Sequence, residues 1–115
     1  MKKLMMVMLA AMAITAFAAD TKVQGYLVDI ACSDEEGTKA GFGAKHTKDC
    51  LLMPDCVKSG YGLLTDDKKV FKFDKAGNQQ AKQFIAGLKK EKDIKVSVTG
   101  AVNGESMTVT KIELQ

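Results

Sequence analysis

The sequence predicts a domain that is mainly β with some α: a five-stranded OB-like barrel, with one helix between strands 3 and 4 and a Cys-bearing helical insertion between strands 1 and 2. The order of the periodic segments is the first reason. The second is that the apolar alternation changes phase inside the first and last strands, as it must where a strand coils around a closed sheet. The third is that all three cysteines and the only histidine lie in residues 32–60, between the first two strands.

The first 19 residues have the pattern of an export signal. Lys2 and Lys3 give a positive start, an apolar run extends from Leu4 to about Thr15, and Ala16-Phe17-Ala18 is a small-x-small cleavage site. The run is shorter than the roughly 20 apolar residues that a membrane-spanning helix needs. We therefore expect a periplasmic or secreted protein with no membrane insertion after signal cleavage, in which residues 20–115 form a single domain.

The mature domain is nearly neutral. Removal of the signal leaves 15 lysines against 14 acidic residues, and the chain contains no arginine. So small a net charge does not favour a polyanionic partner, and lysine lacks the planar fork with which arginine contacts phosphate or guanine. We therefore expect no nucleic-acid partner.

The first predicted strand, residues 22–30, has a change of phase at Gly25. Apolar residues before this glycine have one parity, and those after it have the other. A glycine at such a point suits a bulge or a sharp coil that lets one long strand serve both halves of a barrel. The acidic, glycine-bearing segment 33–43 has no apolar period, so it is predicted to be a loop.

Residues 47–58 have the apolar pattern of one short helix or two separate helical turns. Pro54 fits the first turn of the second piece, and Gly60 is a natural left-handed cap at its end. Two short strands then follow, at 61–65 and 69–73, and the polar residues between them predict a hairpin.

The helix predicted between strands 3 and 4 follows a turn at residues 74–78, with Asn78 as its N-cap. Its apolar face has the spacing i, i+3, i+4, i+7 and consists of Ala81, Phe84, Ile85 and Leu88. This face is expected to pack on the barrel. If Phe84 is fully buried, replacing it with alanine should lower the free energy of unfolding by about 3–5 kcal/mol.

The last two strands form the clearest hairpin in the sequence. Residues 94–99 alternate strictly, and Asn103-Gly104 is a strong turn signal. The apolar residues of the final strand change parity between Val109 and Ile112, which predicts a bulge near Thr110 and Lys111.

Several short motifs resemble those of a group of small exported bacterial proteins, most of which are uncharacterised. The motifs are Gly25-Tyr26-Leu27-Val28-Asp29 with Cys32, Lys45-His46, Cys50, Cys56-Val57-Lys58-Ser59-Gly60-Tyr61-Gly62, Phe71-Lys72-Phe73-Asp74 and Val98-Thr99-Gly100. The resemblance covers nearly all of the mature chain. It implies an OB-like barrel with a Cys/His insertion after the first strand, and it implies no established activity.

The cysteines and the histidine allow three kinds of chemistry. In an exported protein, one disulfide with a leftover thiol would stabilise a small domain. Alternatively, Cys32, His46, Cys50 and Cys56 would form a tetrahedral site of three thiolates and one imidazole, which suits zinc and which copper(I) also accepts. A cysteine nucleophile activated by the histidine is the third possibility.

Two classes of function therefore stay open at the level of sequence. One is an exported binding module that holds zinc or copper, or a small ligand, through its Cys/His cluster. The other is a disulfide-stapled structural or interaction domain that binds another protein and has no metal. We predict that the three cysteines of the insertion converge, with His46 close by, because ordering this polar segment costs about 1–2 kcal/mol per residue in backbone entropy. Convergence is compatible with both a metal site and a disulfide. No residue is predicted to be catalytic.

Overall fold

The computed structural model describes residues 20–115, so the predicted export signal lies outside the described residues. Five strands and five helices follow one another as β1 (Thr21–Asp29), α1 (Ile30–Glu36), α2 (Phe42–Lys45), α3 (Lys48–Leu51), α4 (Pro54–Ser59), β2 (Tyr61–Leu64), β3 (Val70–Phe73), α5 (Lys75–Ala86), β4 (Lys95–Asn103) and β5 (Ser106–Leu114). The strands form one sheet that closes in a ring, in the order β1-β2-β3-β5-β4. The predicted mixture of β with α, the helix between strands 3 and 4 and the helical insertion after strand 1 are confirmed.

Strand β1 belongs to both halves of the ring. Its residues 21–26 pair antiparallel with β4, and residues 26–29 pair antiparallel with β2. Gly25 lies at the changeover, where a Cβ atom would come within 2.4 Å of the Leu64 carbonyl oxygen. The glycine is therefore required by a close approach of two backbones, and the pairing with β4 continues through it without a bulge.

The hairpin of β4 and β5 agrees with the sequence prediction. Asn103 pairs with Ser106, and Gly104 in the turn has a positive φ of 64°. Further along, Thr99 pairs with Lys111 while Gly100 pairs with Val109, so Thr110 is the extra residue of a bulge. The predicted bulge near Thr110 and Lys111 is confirmed, and it explains the change of parity along β5.

Helix α5 begins earlier than predicted. Its N-cap is Asp74, whose Oδ1 accepts hydrogen bonds from the backbone N–H groups of Gly77 (3.0 Å) and Val109 (3.2 Å). The prediction of Asn78 as N-cap was wrong, because this amide lies inside the helix and its Oδ1 accepts from the Tyr61 N–H at 2.8 Å. The side chain of Asn78, which the local sequence pattern predicted to cap the helix, therefore contacts β2 instead.

The insertion between β1 and β2 consists of four short helices. The prediction of a loop at residues 33–43 was wrong at both ends, because α1 extends through Glu36 and α2 begins at Phe42. Asp29 caps this helix, and the Ser33 hydroxyl bonds back to the Ile30 carbonyl at 3.1 Å. The two predicted helical turns are confirmed as α3 and α4, with Pro54 in the first turn of α4 and Gly60 (φ 88°) at its end.

The hydrophobic core lies inside the ring and under α5. Its buried side chains come from every strand and from α5, and Leu51 brings the insertion into the same cluster. Tyr61, which is 1% exposed, joins the two parts, since its hydroxyl donates a hydrogen bond of 2.7 Å to the Leu51 carbonyl. Within residues 20–115, no helix has the length and apolar character needed to cross a membrane.

Candidate functional site

Asp29 is the centre of the candidate site. It is the last residue of β1, its side chain is fully buried, and its Oδ2 accepts a hydrogen bond of 2.9 Å from the Cys32 N–H as the N-cap of α1. A carboxylate at this position satisfies an N–H group that the helix cannot pair internally. The end of the strand and the start of the helix therefore fix the carboxylate at the base of the insertion.

His46 holds the other oxygen of this carboxylate. The residue lies between α2 and α3, its side chain is 5% exposed, and its Nε2 is 2.6 Å from Asp29 Oδ1. Phe42 supports the imidazole, with the two ring centroids 4.9 Å apart. Both carboxylate oxygens of Asp29 thus have a fixed partner within the insertion.

Two cysteines converge on the same carboxylate. Cys32 comes from α1 and Cys56 from α4, and their sulfurs lie with an Asp29 oxygen in a group whose atoms are all within 4.8 Å of one another. Cys56 is buried, and Cys32 is half-buried. Three separate elements thus bring one oxygen and two sulfurs together.

The structure places only part of the predicted metal set in this group. Cys32 and Cys56 belong to it, whereas Cys50 and His46 do not, although both lie in the described part of the chain. His46 contacts the group through Asp29. Cys50, on α3, is half-buried, and its backbone N–H bonds to the Thr47 hydroxyl at 3.2 Å as part of a separate helix cap.

Asp29 is the charged residue of the group. Burial alone would raise the pKa of this carboxyl, but hydrogen bonds from His46, the Cys32 N–H and the Cys56 thiol bring its pKa down to about 2. Asp29 is therefore ionised at neutral pH. Because a carboxylate can only accept hydrogen bonds, His46 Nε2 must carry a proton and donate it to Asp29.

Both thiols of the group are hard to ionise. Burial raises the pKa of Cys32 to about 12, and the charge of Asp29 adds to the rise. Burial also raises the pKa of Cys56, and its hydrogen bond to Asp29 and the charge of that carboxylate act in the same direction. A cysteine nucleophile needs the opposite environment, and the imidazole is bonded to Asp29, so the geometry does not favour a Cys/His nucleophilic pair.

All three cysteines are free thiols in the structure. Cys32 and Cys56 lie close together beside Asp29. The predicted convergence of all three does not extend to Cys50, which lies outside the group around Asp29.

Comparisons with known protein families, with curated proteins and with solved structures find no match to this chain.

Sequence reasoning missed Asp29 as part of the site. One signal for it was present, because an aspartate three residues before Cys32 has the spacing of a helix N-cap, and Glu35 and Glu36 are good helix formers. Recognition of α1 would have placed the carboxylate beside the first cysteine. The contact with His46 has no such local signal, because 17 residues separate the two side chains.

The depressed pKa of Asp29 predicts an acid-sensitive fold. A carboxyl whose pKa falls from 3.8 to about 2 on folding stabilises the protein above pH 4, and the stabilisation is lost as the pH falls towards 2. Its size is about 2 kcal/mol. Urea unfolding of metal-free protein between pH 5 and pH 2 measures this loss. A variant with Asp29→Asn should show a smaller dependence over that range, and an unchanged dependence would contradict the assignment.

Proposed function

We propose that the mature domain is a small exported binding module that holds a thiophilic metal ion, zinc or copper(I), at Asp29, Cys32 and Cys56. The observation that carries this proposal is the convergence of one carboxylate oxygen and two sulfurs from three elements within 4.8 Å. Zinc is commonly bound by cysteine and carboxylate ligands together, and copper(I) prefers the sulfurs.

The charge of the site supports a cation as its ligand. Burial and the ionised Asp29 keep both thiols protonated, so in the metal-free protein the buried group carries one negative charge. A bound cation reverses this balance, because it stabilises thiolates that the carboxylate alone destabilises. Metal uptake by this site would therefore release the protons of Cys32 and Cys56.

His46 fits the role of a positioning residue for this site. Ligands of metal ions in proteins are commonly held by a second hydrogen-bonded group, and His46 holds Asp29 Oδ1 at 2.6 Å. Cys50 lies outside the group of one oxygen and two sulfurs, so it is not a proposed ligand.

Substitutions distinguish the proposed ligands from their neighbours. We expect Cys32→Ser and Cys56→Ser each to weaken zinc and copper(I) binding by more than about 100-fold, and His46→Gln to weaken it by about 10–100-fold, as losses of supporting residues do. Cys50→Ser is the matched thiol control, with an expected loss of less than about 10-fold. Competition titrations against chelators under reducing conditions measure these affinities. Equal losses for the three serine variants would instead favour the site of three thiolates and one imidazole.

A disulfide between Cys32 and Cys56 is the second candidate, and the same proximity of the two sulfurs favours it. In an oxidising compartment such a bond would close a loop of about 25 residues and contribute about 3–4 kcal/mol. The domain would then be a stapled structural or interaction domain without a metal at these cysteines. The mass of native protein tests this, since a disulfide lowers it by two hydrogens and leaves one free thiol.

The OB-like assignment and export belong to the same proposal. The ring order β1-β2-β3-β5-β4, with α5 between β3 and β4, supports an OB-like barrel, and the resemblance to small exported bacterial proteins points the same way. The partner is then an unidentified protein or small ligand, not nucleic acid, and the protein is periplasmic or secreted. N-terminal sequencing of exported material, with a start near Ala19, tests the export part.

A further inference from the structure

The two sulfurs of the candidate metal site are close enough to react with each other. Cys32 Sγ and Cys56 Sγ lie within 4.8 Å of each other. A disulfide has a sulfur–sulfur distance of about 2.0 Å, so the two side chains need to approach by less than about 3 Å to form one. The same two residues can therefore hold a metal ion as thiolates or bond to each other, but they cannot do both at once.

Helices α1 and α4, which carry these two cysteines, are joined by hydrogen bonds that involve no sulfur. The Ile30 N–H, at the start of α1, donates to the Gly60 carbonyl at 2.9 Å. Beside it, the Ala31 N–H donates to the Ser59 hydroxyl oxygen at 3.1 Å. Because these contacts do not depend on the cysteines, the start of α1 stays against the end of α4 whether the thiols are reduced or oxidised.

The third cysteine does not share this arrangement. Cys50 lies on α3, outside the group that contains the other two sulfurs. The first residue of α3, Lys48, donates its backbone N–H to the Glu91 carbonyl at 2.8 Å, so α3 is attached to the segment that follows α5. Oxidation is therefore expected to join the other two cysteines and to leave Cys50 as a free thiol.

We propose, given the metal site at Asp29, Cys32 and Cys56 proposed above, that oxidation of the two cysteines to a disulfide releases the metal ion. Oxidation removes both sulfur ligands together and leaves only Asp29. The oxygens of this carboxylate keep their hydrogen bonds to the Cys32 N–H and to His46, which no sulfur takes part in. One carboxylate is a much poorer ligand set for zinc than the three or four protein ligands of zinc sites.

The oxidant is a small-molecule disulfide of the glutathione class. The Cys32 thiolate, on the more exposed of the two residues, attacks one sulfur of the oxidant, so that a mixed disulfide forms and one small thiolate leaves. The Cys56 thiolate then attacks Cys32 Sγ, and the second small thiolate leaves. The protein gives two electrons to the oxidant, the two leaving thiolates take up protons from solvent, and zinc departs as the unchanged divalent ion.

The linkage between zinc binding and oxidation can be measured on the full mature protein. If zinc binds only the reduced form, free zinc stabilises the dithiol and raises the reduction potential of the Cys32–Cys56 pair. We expect a rise of about 30 mV for each tenfold increase in free zinc above its Kd, the value for one metal ion and two electrons. Glutathione redox buffers set the potential, a chelator fixes the free zinc, and the mass of the alkylated protein gives the oxidised fraction.

Cys50→Ser is the matched control for this titration. The variant keeps both proposed sulfur ligands, so it should show the same rise in potential and the same disulfide. A potential that does not change with free zinc, or a Cys50→Ser variant that no longer forms a disulfide, would overturn the proposal. Reduced protein that takes up no zinc would contradict the metal site itself, whereas zinc that stays bound after oxidation would contradict its release alone.

Discussion

Replacing Asp29 with alanine should lower the free energy of unfolding of the metal-free protein by about 3–5 kcal/mol. Loss of one partner of a buried pair leaves the other without compensation, and His46 and Asp29 are both buried in this structure. The same change removes the N-cap of α1, which alone is worth about 1 kcal/mol. Urea unfolding at neutral pH measures the total.

Asp34→Ala is the control for this change. Asp34 is an exposed carboxylate on the same helix, so its loss should alter stability by no more than about 0.5 kcal/mol. His46→Ala should destabilise less than Asp29→Ala, because the cap on Cys32 survives. A loss below about 1 kcal/mol for Asp29→Ala would show that the Asp29–His46 contact does not organise the insertion.

The second large effect concerns the packing of α5 on the ring. Ile85 is fully buried in the core, so Ile85→Ala should cost about 2–5 kcal/mol. Phe84, which the sequence singled out, is only partly buried against the same core, so the 3–5 kcal/mol expected for full burial does not apply to it. We expect Phe84→Ala to cost less than Ile85→Ala. The reverse order in thermal or urea unfolding would contradict the observed orientation of α5.

Short-range patterns predicted much of the fold. The turn at Asn103-Gly104, the bulge at Thr110 and the position of Pro54 each depend on a few neighbouring residues, and all three are confirmed. The start of α5 was missed because aspartate and asparagine are both good N-caps, so the sequence allows either Asp74 or Asn78. The side chain of Asn78 instead accepts a hydrogen bond from Tyr61, a contact between distant parts of the chain. Local sequence contains no information about that contact.

The candidate site was only partly predictable for the same reason. The presence of every cysteine and the histidine in one insertion pointed to a cluster, and Cys32 and Cys56 do come together. Which side chains complete the group depends on how four short helices pack at the end of β1. The burial of Asp29 and its bond to His46 arise from that packing, which has no sequence period.

X-ray absorption at the metal edge, on reduced protein loaded with one equivalent of zinc, tests the central proposal most directly. The proposed site predicts two sulfur neighbours at about 2.3 Å and an oxygen neighbour at about 2.0–2.2 Å. The same spectrum from the Cys50→Ser variant should keep both sulfurs, whereas Cys56→Ser should keep only one. Reduced protein that retains no zinc or copper(I), or a bound metal without a sulfur shell, would contradict a metal site at Asp29, Cys32 and Cys56.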